Sequence, residues 1–244
     1  MKKEHPFLLV NINNTNTSFA LANARRILRV VKVPTVSVRK IPFGDDRISG
    51  VVLASVVPKM TKRVGRLLPM RPLVVSANID LGVGVRYPNK KQIGADRLAN
   101  AVGVAELYGT PAIVVDFGTA VTFDIVNSSR EYVGGVIAPG LASVTDYLYQ
   151  RTALLPRIKL AEPSSAIGRS TVAAMRVGAV IGYRGLVKEI LSALKRERGM
   201  EKAVVVATGG YGGLIAKKIR EIDRVNPLLT LEGLRFIYLR NRAA

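Results

Sequence analysis

The residues best equipped for chemistry lie in Ala112-Ile113-Val114-Val115-Asp116-Phe117-Gly118-Thr119-Ala120-Val121-Thr122-Phe123-Asp124. Four apolar residues run into a carboxylate, a Gly-Thr pair follows, and an alternating apolar run ends on a second carboxylate. Read as strand, tight turn and return strand, the stretch is a hairpin whose tip offers backbone N–H groups, hydroxyls and Asp116. Gly118 is expected to bend with φ > 0 and to let a ligand approach the chain closely. Turn N–H groups of this kind form an anion-binding concavity, so the set suits a nucleotide phosphate and its cation. Alone, an Asp-x-Gly turn is an ordinary hairpin signal. A second copy strengthens the chemical reading. Phe7-Leu8-Leu9-Val10-Asn11-Ile12-Asn13-Asn14-Thr15, followed by Ser18-Phe19-Ala20-Leu21, repeats strand, polar pivot, turn with Thr and apolar return. The pivots Asn11 and Asp116 are separated by nearly half the chain, which predicts a duplicated domain with a cleft between the copies.

The elements that must hold these tips follow from the hydrophobic pattern. Strands are expected over 7–12, 17–22, 27–33, 35–38 and 50–57, a short basic helix over 60–68, and a buried strand at 73–75. Residues 78–91 read as a loop containing Gly82, Gly84 and Pro88. A helix from Ala95 to Tyr108 then opens with Asp96-Arg97 in its first turn. Gly109-Thr110-Pro111 marks the boundary, giving domains 1–109 and 110–244. Beyond the second hairpin come a strand over 134–141, a helix over 142–151, a Pro-containing loop over 152–168 and a long helix over 170–198. That long helix carries Ala173, Ala174, Gly178, Ala179, Gly182 and Gly185, a thin face suited to internal packing or to a dimer seam. A strand over 203–208 ends on Thr208-Gly209-Gly210, a helix follows near Gly213, and the tail from Leu231 to Asn241 closes as a helix. Strands running into glycines and helix N-termini are places for nucleotides. The alternation of strands and helices indicates an α/β fold.

Composition narrows the function classes. The 244 residues carry 37 Lys+Arg against 17 Asp+Glu, a net charge of +20. Such an excess suits anionic substrates, a nucleic acid or a membrane surface. Here the basic residues are scattered, Trp is absent, and no basic–aromatic interleaving offers bases a stacking platform, so nucleic acid is not the expected partner. No cysteine is present, which excludes disulfides and thiolate chemistry. The charged Met1-Lys2-Lys3-Glu4-His5-Pro6 lead is followed by an apolar run, Phe7 to Val10, too short for a signal sequence. No apolar run approaches the ~18 residues of a membrane span, so no membrane association and a cytoplasmic setting are expected.

Taken together, several stretches resemble the type III pantothenate kinases, a family within the superfamily of sugar kinases, actin and chaperone ATPases. They are Gly94-Ala95-Asp96-Arg97 with Asn100, the Asp116-to-Asp124 hairpin, Gly134-Gly135 through Pro139-Gly140-Leu141, and Thr152-Ala153 with Leu155-Pro156. Ile167-Gly168 with Thr171, Thr208-Gly209-Gly210 and Leu231-Glu232-Gly233-Leu234 complete the set. They occur in the family's order over about the whole chain. The resemblance implies two ribonuclease H-like domains, each α/β, with ATP, Mg²⁺ and a monovalent cation (K⁺ or NH₄⁺) as cofactors. It implies ATP-dependent phosphorylation of pantothenate to 4′-phosphopantothenate, the first step of coenzyme A biosynthesis, by a homodimer. Asp96 would be the general base. Tyr87, Gly94, Ala95, Asp96, Arg97 and Thr171 would contact pantothenate, Thr171 from either subunit. Asn11, Asn13, Asn14, Thr15, Asn16, Thr17, Ser18, Gly118 and Thr119 would hold ATP, and Asp116 the monovalent cation.

Elementary chemistry agrees with these assignments. Phosphoryl transfer needs in-line positioning, neutralised phosphate charge and a carboxylate to orient the attacking hydroxyl. Asp96, beside Arg97 at a helix start, reads as a capping Asp on its own; the flanking motifs make it the base, and one side chain could do both. The first hairpin departs from the family, which reads Asp-x-Gly-Asn-Thr where this chain has Asn11-Ile12-Asn13-Asn14-Thr15. Asn13 tolerates the turn conformation, but Asn11 loses the charge that helps hold a divalent cation. The outcomes are a kinase with rearranged metal binding, one using Asp116 or Asp124 instead, a non-catalytic regulator on the same fold, or a kinase of another small hydroxyl compound.

Overall fold

The computed structural model describes residues 5–43 and 47–242; the charged lead Met1–Glu4 lies outside the described residues. The chain runs β1 (Phe7–Ile12), β2 (Asn16–Ala22), β3 (Ile27–Pro34), β4 (Val51–Ser55), α1 (Pro58–Gly65), β5 (Leu73–Val74), β6 (Gly84–Val85) and α2 (Ala95–Leu107). There follow β7 (Ala112–Phe117), β8 (Ala120–Val126), β9 (Glu131–Pro139), α3 (Leu141–Arg151), α4 (Thr171–Val177) and α5 (Tyr183–Arg196). It ends with β10 (Val204–Thr208), α6 (Gly212–Ile215), β11 (Arg224–Val225) and α7 (Leu229–Asn241).

Two compact units form. The first holds the chain up to Gly109, the short segment Arg130–Val133 and the chain from Leu228 on; the second holds Thr110–Ser129 and Gly134–Pro227. In the first, β1 is buried at every position because it is a central strand, antiparallel to β2 and parallel to β4. A strand covered on both faces reads as the continuous apolar run seen in Phe7–Val10. The sheet order is β3-β2-β1-β4-β5, with the exposed edge β3 carrying Arg29 and Lys32, charges that discourage edge-to-edge pairing. In the second unit the order β11-β10-β7-β8-β9 places its strands in the same sequence when read from the other end. β7, like β1, is the central strand, antiparallel to β8 and parallel to β10. The duplication expected from the two hairpins is therefore a duplication of whole mixed sheets.

Helix packing supplies a correction. Gly103 of α2 and Gly233 of α7 let these helices approach closely: a Cβ at Gly233 would stand 1.8 Å from the Ala99 carbonyl oxygen. By contrast, a Cβ at Gly178, Gly182 or Gly185 would meet nothing within 4 Å. Gly178, Gly182 and Gly185 therefore serve no close packing among the described residues, whereas Ala179 of the same face is buried. That helix is also interrupted, by a π-helical segment over Gly178–Gly182. Residues 35–38 are not a strand; Pro34 ends β3 and Thr35–Ser37 form a 3₁₀ turn. The loop over 78–91 contains β6, which pairs in parallel with Glu131 and Tyr132 at the start of β9.

Candidate active site

The first hairpin is built by register. Asn11 stands opposite Ser18 and Ile12 opposite Thr17, and the Asn13 N–H donates to the Asn16 carbonyl at 3.1 Å to close the turn. Thr35, from the unexpected 3₁₀ turn, pins it. Its N–H donates to the Thr15 carbonyl at 3.0 Å and its hydroxyl to the Asn13 carbonyl at 2.6 Å. Because that single proton is committed, the Thr17 hydroxyl is the donor in the 3.1 Å contact with Thr35 Oγ1. Asn14 and Thr15 flank the tip, Asn14 and its neighbour forming the turn itself. Asn11 is 5% exposed, and the Oδ1 atoms of Asn11 and Asn13 are buried with no hydrogen-bond partner among the described residues. Asn11 is the fifth residue of β1 and Asn13 follows its last residue, Ile12. Buried acceptors without donors are costly, and two such amide oxygens at one strand end call for a donor or a cation.

The same strand ends position the residues expected to meet the acceptor. The Val56 N–H, just after β4, donates to the Ile12 carbonyl at 3.1 Å. A Cβ placed at Gly94 would lie 3.3 Å from Val56 Cγ1 and 2.5 Å from Asp96 Oδ1. Gly94 is thus the residue that admits the Asp96 carboxylate beside the end of the sheet. Gly94 is itself the N-cap of α2 and provides no side-chain cap. Asp96 sits inside the first turn, where the helix dipole favours an anion, and its Oδ1 accepts the Arg97 N–H at 2.9 Å. Burial nevertheless outweighs these contacts and raises its pKa above the ordinary 3.8. A carboxylate poised upward by desolvation is suited to take a proton. The N-cap position belongs to Gly94, and Asp96, two residues on, satisfies a first-turn N–H through its side chain, so one carboxylate can both brace the helix start and face the site. Behind the site, Asn100 is buried and accepts the Thr230 hydroxyl at 2.7 Å. Tyr87 lies 6.2 Å, centroid to centroid, from the buried ring of Tyr132, and the Arg97 guanidinium stands 5.8 Å above that same ring.

In the second unit, Asp116 stands opposite Thr122 in the β7–β8 hairpin and beside Thr208 of β10. Gly209, at φ +87°, closes over it: a Cβ there would lie 2.5 Å from Asp116 Oδ1 and 2.6 Å from the Phe117 nitrogen. The positive φ expected at Gly118 is found at Gly209 instead. Gly118 is small for space, since its Cβ would press to 3.3 Å on the Ala120 carbonyl oxygen. Gly140 approaches the Thr119 carbonyl so closely that a Cβ would stand 2.1 Å from its oxygen. Asp124 lies opposite Val114, fully buried within the sheet and away from the tip, which removes it as a substitute metal ligand. Thr171 is exposed at the first position of α4, whose cap is the Ser170 hydroxyl accepting the Ala173 N–H at 3.2 Å.

The structure thus gathers Asn11–Ser18 with Gly94–Arg97 and Tyr87 in one unit, and Asp116, Gly118 and Thr119 with Gly209 in the other. Thr35 and Tyr132 are additions that sequence reasoning does not supply. Thr35 carries no local signal, whereas Tyr132 stands just ahead of the Gly134-Gly135 motif. Among the described residues no group of three or more His, Cys, Asp or Glu side chains could hold a metal, and no helix is long and apolar enough to cross a membrane.

The sequence profile described as type III pantothenate kinase matches residues 7–193. A type III pantothenate kinase of Akkermansia muciniphila is 51% identical over 235 residues, 94% of this chain and 96% of the relative. Among solved structures, a conserved putative Baf family transcriptional activator from Campylobacter jejuni superposes with a TM-score of 0.64 at 19% identity, covering 98% of this chain and 100% of that one. An activator of 2-hydroxyisocaproyl-CoA dehydratase from Clostridium difficile, solved with bound ADPNP, gives 0.55 at 11% identity, over 98% of each chain. These two likenesses concern the fold, a duplicated ribonuclease H-like α/β architecture. With the profile covering most of the chain and half of all aligned residues identical in the Akkermansia relative, the chain belongs to the type III pantothenate kinase family.

Proposed function

We propose that the chain phosphorylates pantothenate on its primary hydroxyl at the expense of ATP, yielding 4′-phosphopantothenate for coenzyme A synthesis. The observation that carries this reading is the Asp96 carboxylate. It is admitted by Gly94, held in the first turn of α2 and raised in pKa by burial. In this role Asp96 orients the acceptor hydroxyl and takes its proton. Arg97 and Tyr87 bind the acceptor, with Gly94 and Ala95 lining its approach. The hairpin from Asn11 to Ser18 cradles the nucleotide with backbone N–H groups and hydroxyls, and Gly118 and Thr119 do the same in the second half.

The donor set fits a nucleotide-borne cation. Mg²⁺ is commonly held by one or two carboxylates plus substrate phosphates rather than by an all-protein cage, and when bound it neutralises phosphate charge. Asn11 and Asn13 offer it two neutral oxygens without internal partners. Asp116, walled by Gly209, offers a full negative charge, suited to a K⁺ or NH₄⁺ ion near the phosphates. We place the line of duplication at the Gly109–Thr110 junction, the start of the second repeat, with Arg130–Val133 and α7 packing on the first unit. A homodimer in the cytoplasm completes the reading. Tyr147, Leu154 and Ile167 are exposed around α3 and the segment before α4, and the glycine face of Gly178, Gly182 and Gly185 is open. Thr171 reaches pantothenate from one subunit or the other.

The test is ³¹P NMR of the purified chain with ATP, Mg²⁺, K⁺ and pantothenate. The expected result is a new phosphomonoester signal that chelation of Mg²⁺ abolishes and omission of K⁺ and NH₄⁺ strongly reduces. ATP left intact, or consumed without phosphorylating pantothenate, would defeat the assignment. A panel of other small alcohols separates a different acceptor.

A further inference from the structure

Segment Arg130–Val133 belongs to the first unit although the chain on both sides of it belongs to the second. Its attachment is unusually well determined. Arg130 adopts φ +60°, a backbone conformation disfavoured for a residue with a Cβ. Its side chain holds it there. Nε donates to the Gly82 carbonyl at 2.7 Å, Nη1 to the Ala105 carbonyl at 3.3 Å, and Nη2 pairs with Glu106. Two further bonds, from the Gly84 N–H to the Arg130 carbonyl and from the Arg86 N–H to the Tyr132 carbonyl, both 2.9 Å, fix the register of β6 on this segment. One four-residue strap therefore ties the 82–87 stretch to α2, the two elements that carry Tyr87 and Arg97.

Tyr132 is the residue of the strap that faces both. Its ring is fully buried, carries the Arg97 guanidinium at 5.8 Å and meets the Tyr87 ring at 6.2 Å with an interplanar angle of 52°. An aromatic face attracts a guanidinium electrostatically, and tilted aromatic pairs prefer particular separations. We propose that Tyr132 is the positioning residue of the acceptor site: its ring fixes Arg97 and Tyr87 relative to each other, and acceptor affinity depends on it while nucleotide affinity does not. This inference rests on the reading of Arg97 and Tyr87 as acceptor contacts.

The test replaces Tyr132 in the full chain with phenylalanine and with pentafluorophenylalanine, which keep the ring's shape while the second removes the electron density of its face. Tyr132→Phe should leave both KM values within about twofold, because the ring is retained. Pentafluorophenylalanine should raise the KM for pantothenate about fivefold, the scale of one cation–π contact, with kcat and the KM for ATP unchanged. In an Arg97→Met background the same replacement should add nothing further. An unchanged pantothenate KM across the series, or kcat and both KM values moving together with melting temperature, would overturn the role. A wild-type chain that neither binds nor phosphorylates pantothenate would instead overturn the acceptor assignment and this role with it. That failure is visible before any variant is made.

Discussion

The two hairpins share a plan and differ in charge. Asn11 and Asp116 each occupy the fifth position of a six-residue central strand, and each strand continues into an antiparallel partner of seven residues. At the first, a neutral amide lies 5% exposed with its oxygen lacking an internal partner, and Thr35 braces the turn from outside. At the second, a carboxylate stands half-buried against Gly209, whose positive φ brings backbone where a side chain would otherwise be. The comparison shows that duplication preserved the scaffold while permanent charge is kept at only one of the two pivots. The half with the neutral pivot also carries Asp96, so the general base proposed here would work without a second fixed anion on the neighbouring strand end.

Among changes at the two pivots, the largest effect is expected from making the second hairpin resemble the first. Asp116→Asn should lower kcat/KM for ATP by about 100-fold, the upper end of the range found when groups supporting a metal site are removed, and should abolish stimulation by K⁺. Steady-state rates with and without K⁺ decide it. Crowding the second pivot comes next. Gly209→Ala forces a Cβ into left-handed backbone and onto Asp116 and Phe117, which should destabilise the fold by ~2 kcal/mol, read as a lowered urea midpoint.

Making the first hairpin resemble the second should have a smaller and opposite effect. Asn11→Asp supplies the missing charge, and Mn²⁺ affinity in the absence of nucleotide should rise about tenfold, equivalent to ~1.4 kcal/mol. Titration of the apo-protein followed by EPR reads this apart from turnover, and unchanged affinity would mean that Asn11 does not face the cation. Thr35→Val leaves the Asn13 carbonyl and the Thr17 hydroxyl without their partner. A cost of ~1–3 kcal/mol with a raised KM for ATP is expected, measurable by denaturation and by kinetics.

The smallest effect lies away from both pivots. Arg184, then Lys218, lowers the Glu162 pKa from 4.5 to about 2. A depressed carboxylate contributes stability that is present above 4.5 and is lost as pH falls through about 2. Glu162 is well exposed, so its Glu162→Gln variant should differ only slightly from wild type at neutral pH and converge with it in acid.

Much of this arrangement is legible in residue order. Central strands buried on both faces show as apolar runs, and a polar pivot followed by a turn residue stands out against them, as Asn11 and Asp116 do. The Gly94-Ala95-Asp96-Arg97 turn is visible because it opens a run of apolar and small residues at helical spacing, which folds as the largely buried α2. What stays hidden depends on contacts distant in sequence. Thr35 reaches back to Asn13 across 22 residues, so the local pattern after Pro34 reads as strand. Tyr132 meets Tyr87 and Arg97 only after β6 pairs with β9. The positive φ expected at Gly118 falls at Gly209 because a hairpin sequence shows that glycine is needed but not whether the need is for φ or for space. The glycines of the long helix show the same ambiguity: their spacing suggests packing, yet the tight helix pair is α2 with α7.

Asp96 carries the account, and its substitution by Asn is the most direct measurement. As an acid whose pKa is raised in the folded state, Asp96 contributes stability below 3.8 that is lost as pH rises through its folded value. At neutral pH the ionised group is therefore a burden on the fold, and removing its charge relieves that burden. Asp96→Asn should cut pantothenate phosphorylation by about 10³-fold or more while the melting temperature at pH 7 stays level or rises. Activity within about tenfold of wild type, or a loss of activity that merely tracks a lowered melting temperature, would contradict Asp96 as the general base.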